Sequence, residues 1–304
     1  IENMNTVLDN NKKLCLVSGE IIKMTDWMTM MYEPEDLEEA SPATVSRLGV
    51  VYMEPTRLGW RAIFDSWLLD LPEAIVEFKD LVTELFEWLF EPTMFFVRTD
   101  CLLPTDISMM EMVNNALKML TCFFSDPYKA REGHEMPRSK ESPKIIEGLV
   151  VLSLIWSIGI VVDGNGRKKF DEHFRHLLMG TIKDQDIWKI FKIKIPGYKA
   201  FESVENDRAI SILPPETGLV YDYMFLYSST KWVNWSSIMK KFEISKGATF
   251  EKIMVPTIDT ARNAYVLKML IEHNKHAMLV GDTGTGKTLS IKKLITEDLD
   301  QEIY

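Results

Sequence analysis

Gly281, Asp282, Thr283, Gly284, Thr285, Gly286, Lys287 and Thr288 follow the pattern Gly, four residues, Gly-Lys-Thr. No other feature of the 304-residue chain restricts its fold so sharply. Such a loop works only between a strand and a helix, because the strand delivers the backbone and the helix receives it. Residues 276–280 are a short apolar run leading into Gly281 and read as a buried strand. Beyond the loop, Leu289, Ile291, Leu294 and Ile295 fall at roughly helical spacing, with Lys292 and Lys293 outward, so residues 287–299 read as a helix. The glycines let successive N–H groups turn toward an anion. In that reading Lys287 reaches the β- and γ-phosphates of ATP, or the β-phosphate of ADP, and the Thr288 hydroxyl meets the accompanying Mg²⁺. The structural alternative is a glycine-rich turn with an exposed lysine. Asp282 stands where many such loops carry Pro, which retunes binding.

Hydrolysis needs more than this loop. A later strand of the same sheet must bring an acidic residue to Mg²⁺ and, usually, a carboxylate to the attacking water. The chain ends at Tyr304, and the residues after Thr288 hold one helix. The expectation is a nucleotide site in its opening part, within a chain that begins and ends inside larger modules and does not hydrolyse ATP by itself.

Composition bears on partners. The net charge of −10 argues against non-specific nucleic-acid binding, which needs a basic surface. Cys15, Cys101 and Cys122 show no metal-ligand spacing and fit a reducing compartment. His173 and His176 lie three apart on an expected helix and read as packing or surface residues. The longest uncharged stretch, 148–162, is shorter than the ~20 residues of a membrane span and reads as a buried helix, so no membrane partner is expected. Eight Trp and eighteen Met point to large, adaptable helical cores.

Along the chain the texture changes three times. Residues 1–55 read as α/β: a buried strand over 14–17 ended by Ser18, a short acidic helix over 35–39, a helix turn over 43–47, and a second strand over 48–53 closed by Glu54 and Pro55. Residues 56–212 read as helical, with helices near 60–69, 73–89 (stopped by Pro92), 108–124, 148–162 and 167–178, and a turn at 195–197. Residues 213–250 read as a connecting segment with short strands. Residues 251–304 open a second α/β module with the phosphate loop. The fold class is α/β with an all-α lid.

With these residues in place, the chain resembles the dynein heavy chain family, in its ring of AAA+ modules. The resemblance rests on residues 1–20, on 40–55, on 156–159 with 167–171, on 220–223 and on 255–260. It covers nearly the whole chain and is similar to the end of the second module and the start of the third, in an axonemal type. It implies P-loop NTPase modules of the AAA+ class, ATP or ADP with Mg²⁺, and ATP-driven movement on microtubules. It also implies other modules of the same heavy chain, microtubules, and intermediate and light chains as partners, in the cytoskeleton of a cilium or flagellum.

Site residues follow from the same resemblance. Arg47 lies where such modules place an arginine finger, aimed at a neighbouring module's nucleotide; the structural alternative is a surface arginine paired with Glu35, Glu38 or Glu39. Ser18 lies at the sensor-1 position, with helix capping as its alternative. Arg167 and Arg175 are both open as a sensor-2 arginine. Val255 and Pro256 flank the adenine of the third module, while Asp259 shapes that pocket or caps the next helix. A stand-alone P-loop NTPase and a non-catalytic nucleotide-binding scaffold are the competing functions.

Overall fold

A computed structural model of the chain describes residues 5–53, 58–128, 140–181, 209–239 and 255–299. The closing pair Glu54 and Pro55 and the turn at 195–197 lie outside them. The chain divides into two compact units, residues 1–57 and 58–304.

The first unit contains α1 (Asn5–Leu8), β1 (Lys13–Cys15), β2 (Ile21–Lys23) and α2 (Pro42–Val45). β1 and β2 are antiparallel, with Leu14 opposite Ile22. Gly19 turns the hairpin at φ +86°, a conformation that costs glycine little, and Leu16 N–H closes the turn on Glu20 O at 2.8 Å. The strand expected over 14–17 is therefore one arm of a solvated hairpin rather than a buried strand; Val17 is fully exposed. The strand expected over 48–53 forms no ladder, and Val50, Val51, Tyr52 and Met53 are exposed. An apolar, β-branched run becomes a strand only when a neighbour takes its N–H and C=O groups, and no described segment does so here. The acidic stretch 35–39 is a turn, not a helix. Asp36 accepts the Glu38 N–H at 3.0 Å, a local bond that competes with helix formation. α2 starts where expected because Ser41 Oγ accepts Thr44 N–H and Pro42 follows the cap.

The second unit is built on helices: α3 (Arg61–Trp67), α4 (Glu73–Val76), α5 (Lys79–Asp100), α6 (Met109–Tyr128), α7 (Ser142–Ser157) and α8 (Gly164–Leu178). The hairpin β3 (Tyr223–Leu226) and β4 (Lys231–Asn234) and the short α9 (Trp235–Ile238) follow. α5 corrects the sequence reading, because it runs straight through Pro92. A proline inside a helix costs about 3 kcal/mol. The residues from Leu89 to Met94 are all buried, and Glu91 accepts the Trp60 indole N–H, so packing on this segment outweighs that cost.

α7 is the centre of the core. With the turn to Val161 it is long and apolar enough to cross a membrane, but most of its side chains are buried inside the unit. Its Ser153 hydroxyl donates to Ala116 O on α6 at 2.8 Å. Gly148 on α7 allows the Phe225 ring of β3 to lie directly on the helix backbone.

Three segments far apart in sequence, 156–159, 167–171 and 220–223, meet in this core. Tyr221 is fully buried, and its hydroxyl donates to Gly159 O at 2.6 Å. Phe170 packs on Gly159 so closely that a Cβ there would lie 2.7 Å from the ring. Asp171 accepts Val220 N–H at 2.6 Å and holds Arg175 Nε at 3.0 Å. Trp235 donates to Tyr221 O at 3.1 Å and meets Trp156 edge-on. Burial pushes the Tyr221 hydroxyl well above its ordinary pKa, so it stays a donor. Replacing Tyr221 with Phe strands the Gly159 carbonyl in the core. The expected loss is about 1–3 kcal/mol of stability, read as a lower midpoint in chemical denaturation. An unchanged midpoint would show that the bond contributes nothing.

His173 is packing, as expected. Its ring stacks on Phe96 at 3.9 Å, and burial lowers its pKa to about 4 despite the nearby Asp100. Among the described residues no cluster of His, Cys, Asp or Glu is suited to a metal.

Candidate functional site: a phosphate loop tied to a helical lid

The site is approached through α10 (Ile258–Glu272). Thr257 caps it: Thr257 Oγ1 accepts Thr260 N–H at 3.2 Å, while Thr260 Oγ1 accepts Thr257 N–H at 2.7 Å. Asp259 is therefore not the cap; it sits in the first turn and pairs with Arg262. Val255 is exposed and Pro256 partly so, just ahead of the cap.

α10 buries two different faces. Tyr265, Val266, Met269 and Leu270 join the lid core, with Tyr265 against Trp235 at 5.4 Å. Leu267 and Ile271 pack instead with Leu294 and Leu299 from beyond the loop and with Leu279 from just before it. The positions i and i+4 stack along a helix, so 265 and 269 form one stripe and 267 and 271 another.

The strand expected over residues 276–280 is not formed: they carry no ladder partner among the described residues, and Met278 and Val280 are exposed. The loop follows. Gly284 and Gly286 take φ of +85° and +80°, and Gly286 is the residue from which α11 (Lys287–Lys293) starts. Any Cβ would be strained at both, which is why the pattern needs glycine there. The Lys287 ammonium turns back into the loop and donates to Gly281 O at 2.7 Å, Asp282 O at 2.5 Å and Thr285 Oγ1 at 3.3 Å. Thr285 Oγ1 also donates to Asp282 O. Thr283 and Thr288 are exposed. Past Lys293 the helix widens into a π turn, Leu294–Asp298, which carries Leu294 and Leu299 to the α10 stripe.

The other expected residues are placed as follows. Arg47, two residues past α2, donates from Nη1 to Ala43 O at 2.5 Å and from Nε to Asp9, rather than pairing with Glu35, Glu38 or Glu39. Ser18 is exposed in the β1–β2 turn and caps no helix. Arg175 is spoken for by Asp171 and by the carbonyls of Pro214 and Gly218, at 3.1 and 3.3 Å. Arg167 lies over the Tyr221 ring at 5.5 Å. Two cavities, about 440 and 240 Å³, belong to the first unit. The larger is lined by Val7, Leu14, Ile22, Trp27 and methionines, and neither holds a residue of the phosphate loop. Their linings lack the convergent donors an anion needs, so the loop remains the candidate site.

Comparison with known proteins bears on the same residues. Residues 82–237 match the dynein heavy chain AAA lid domain, and residues 242–304 match the P-loop containing dynein motor region. The chain belongs to the dynein heavy chain family. It is 38% identical over 297 residues to dynein axonemal heavy chain 3 of Homo sapiens, covering 95% of this chain and 7% of that protein. It is 36% identical to dynein axonemal heavy chain 12 of Rattus norvegicus over its whole length, and 37% identical to dynein axonemal heavy chain 1 of Homo sapiens over 98% of it. These alignments span 10% and 7% of the two relatives. The chain is thus a segment of the dynein heavy chain motor region, with an AAA lid followed by a P-loop region of the nucleotide-binding class. The α/β-with-lid fold class read from the sequence stands. The three convergent segments of the core are among those that carried the resemblance, and all three lie in the matched lid.

One functional candidate escaped the sequence reading. Arg262 is nine-tenths buried, with Nη1 3.6 Å from Asp222 of the lid and Nη2 on Asp259. The only sequence signal was its spacing three residues after Asp259 on a helix.

Proposed function

We propose that this chain is the joint between two successive AAA+ modules of an axonemal-type dynein heavy chain, and that its phosphate loop holds a regulatory ATP or ADP with Mg²⁺. The observation that carries this is the loop itself. Two glycines sit in left-handed backbone, no atom would meet a Cβ at either, and a lysine ammonium already lies among three oxygen acceptors. Lys287 thus rests on neutral oxygen acceptors, and a phosphate outcompetes them because it adds an opposite formal charge to the hydrogen bond. The nucleotide supplies the negative charge and, with Mg²⁺, a ligand position for Thr288. The chain's own residues bind and orient it: the 281–286 backbone and Lys287 at the phosphates, Val255 and Pro256 at the base. Arg47 acts separately, as an arginine finger toward the preceding module. Ser18, at its hairpin tip, is assigned at most a sensor role. In the parent heavy chain these parts serve ATP-driven movement on microtubules in a ciliary axoneme, with further modules, intermediate chains and light chains as partners.

Replacing Lys287 with Ala in the intact motor tests the loop. The expected result is nucleotide affinity at this module weakened on the order of a hundredfold, from hydrogen bonds to a charged group worth ~1.5–3 kcal/mol. Retention of labelled ADP at wild-type affinity would overturn the assignment.

A further inference from the structure

We propose that Arg262 is a positioning residue for the phosphate-loop site, fastening α10 to the lid through Asp222 so that nucleotide at the loop and order in the lid depend on each other. The inference rests on the nucleotide-binding reading above and adds to it a route by which one module's lid senses the next module's ligand.

The geometry is specific. Arg262 lies on the same side of α10 as Tyr265 and Met269, the lid-facing stripe. Its charge is one of few buried among the described residues of this unit, and burial lowers its pKa while Asp259 and Asp222 oppose that shift. Asp222 is itself fixed, since its other oxygen accepts Leu219 N–H at 2.8 Å. It ends the 3-10 turn Val220–Asp222 that Asp171 and Tyr221 anchor in the core. On the other side of the same helix, Leu267 and Ile271 grip Leu279, Leu294 and Leu299, which bracket the loop. A rigid helix held at both faces transmits displacement, whereas one held at a single face rolls. Arg262 Nε has no partner among the described residues, so the anchor keeps a buried donor unspent. A buried charge that is only partly paired has little tolerance for movement of its partner. Any shift of α10 on nucleotide binding is therefore felt at Asp222.

Hydrogen exchange on the intact heavy-chain motor, with ADP and Mg²⁺ as the probe, resolves the site by segment. In the wild type, ADP protects both 281–294 and 219–226. In Arg262→Met the protection of 219–226 is lost, and the ADP concentration that half-protects the loop rises about tenfold, within the ~5–150-fold of ordinary site coupling. Arg262→Lys keeps the charge without the planar fork and falls between the two. Asp222→Asn, which keeps the size and the Leu219 bond, repeats the Arg262→Met pattern and covers the case in which that variant does not fold. Wild-type midpoints and lid protection in Arg262→Met or Asp222→Asn would overturn the inference while leaving the loop assignment intact. Loop protection in the wild type without any change at 219–226 would do the same. No protection of the loop by ADP in the wild type would overturn the nucleotide reading and this inference with it.

Discussion

Arg47→Ala in the intact motor should slow ATP hydrolysis at the preceding module by about a thousandfold, the lower end of what an arginine finger contributes. A finger acts because a planar, permanently charged group meets charge that develops on the transferred phosphoryl group. Arg47 has the support such a role needs: Asp9 holds Nε and the Ala43 carbonyl holds Nη1, so the side chain is braced from two sides at the end of α2. The same contacts also describe an ordinary surface ion pair, since both side chains are about one-third exposed. Exposed pairs contribute ~0–1 kcal/mol to stability. The two roles therefore separate cleanly in one experiment. A finger gives a large loss of turnover with an unchanged melting curve. Wild-type microtubule-stimulated turnover in the variant would reduce Arg47 to a surface partner of Asp9.

Gly148→Val should destabilise the lid by at least 3 kcal/mol, at or beyond the upper end of ordinary overpacking. A Cβ at this position would lie 2.4 Å from the Phe225 ring, with two further ring carbons at 2.5 Å. Phe225 cannot move away easily. It is 1% exposed, and Trp232 packs on it at 5.3 Å. β3 in turn carries Tyr223, whose hydroxyl donates to Thr217 O. Either α7 or the hairpin must shift, and both belong to one core cluster. Fluorescence of the buried Trp60, Trp156, Trp232 and Trp235 reports the loss as a lower unfolding midpoint. Phe225→Leu in the Gly148→Ala background should recover part of the stability, because the pair is in direct contact and their effects are not additive. Independent, additive losses would mean that the close approach is not what limits this position.

The helical lid was legible in the sequence because its helices are long and strongly periodic, and periodicity over several turns is set by which face is buried. The exception, Pro92, shows where local rules stop: no propensity reveals that Glu91 will find Trp60 or that both flanks will be buried. Helix 35–39 failed for the opposite reason, since Asp36 satisfied the backbone locally. The strands were read from apolar, β-branched runs, but a strand is a relation between segments. Residues 14–17 found a hairpin partner, while 48–53 and 276–280 form no strand among the described residues.

At the site, residue identity and spacing alone determined the phosphate loop. A side chain at 284 or 286 would be strained, and the lysine directly after Gly286 is long enough to fold back over Gly281 and Asp282. The family resemblance was likewise readable from short runs of residues. What those runs do came from the tertiary structure, because segments at 156–159, 167–171 and 220–223 become one network only when the chain folds. Arg262 is the clearest case. Its partner Asp222 is forty residues away in sequence, and its importance depends on a helix with one face on the lid and another on the loop. Spacing along a chain cannot encode that arrangement; packing between elements decides it.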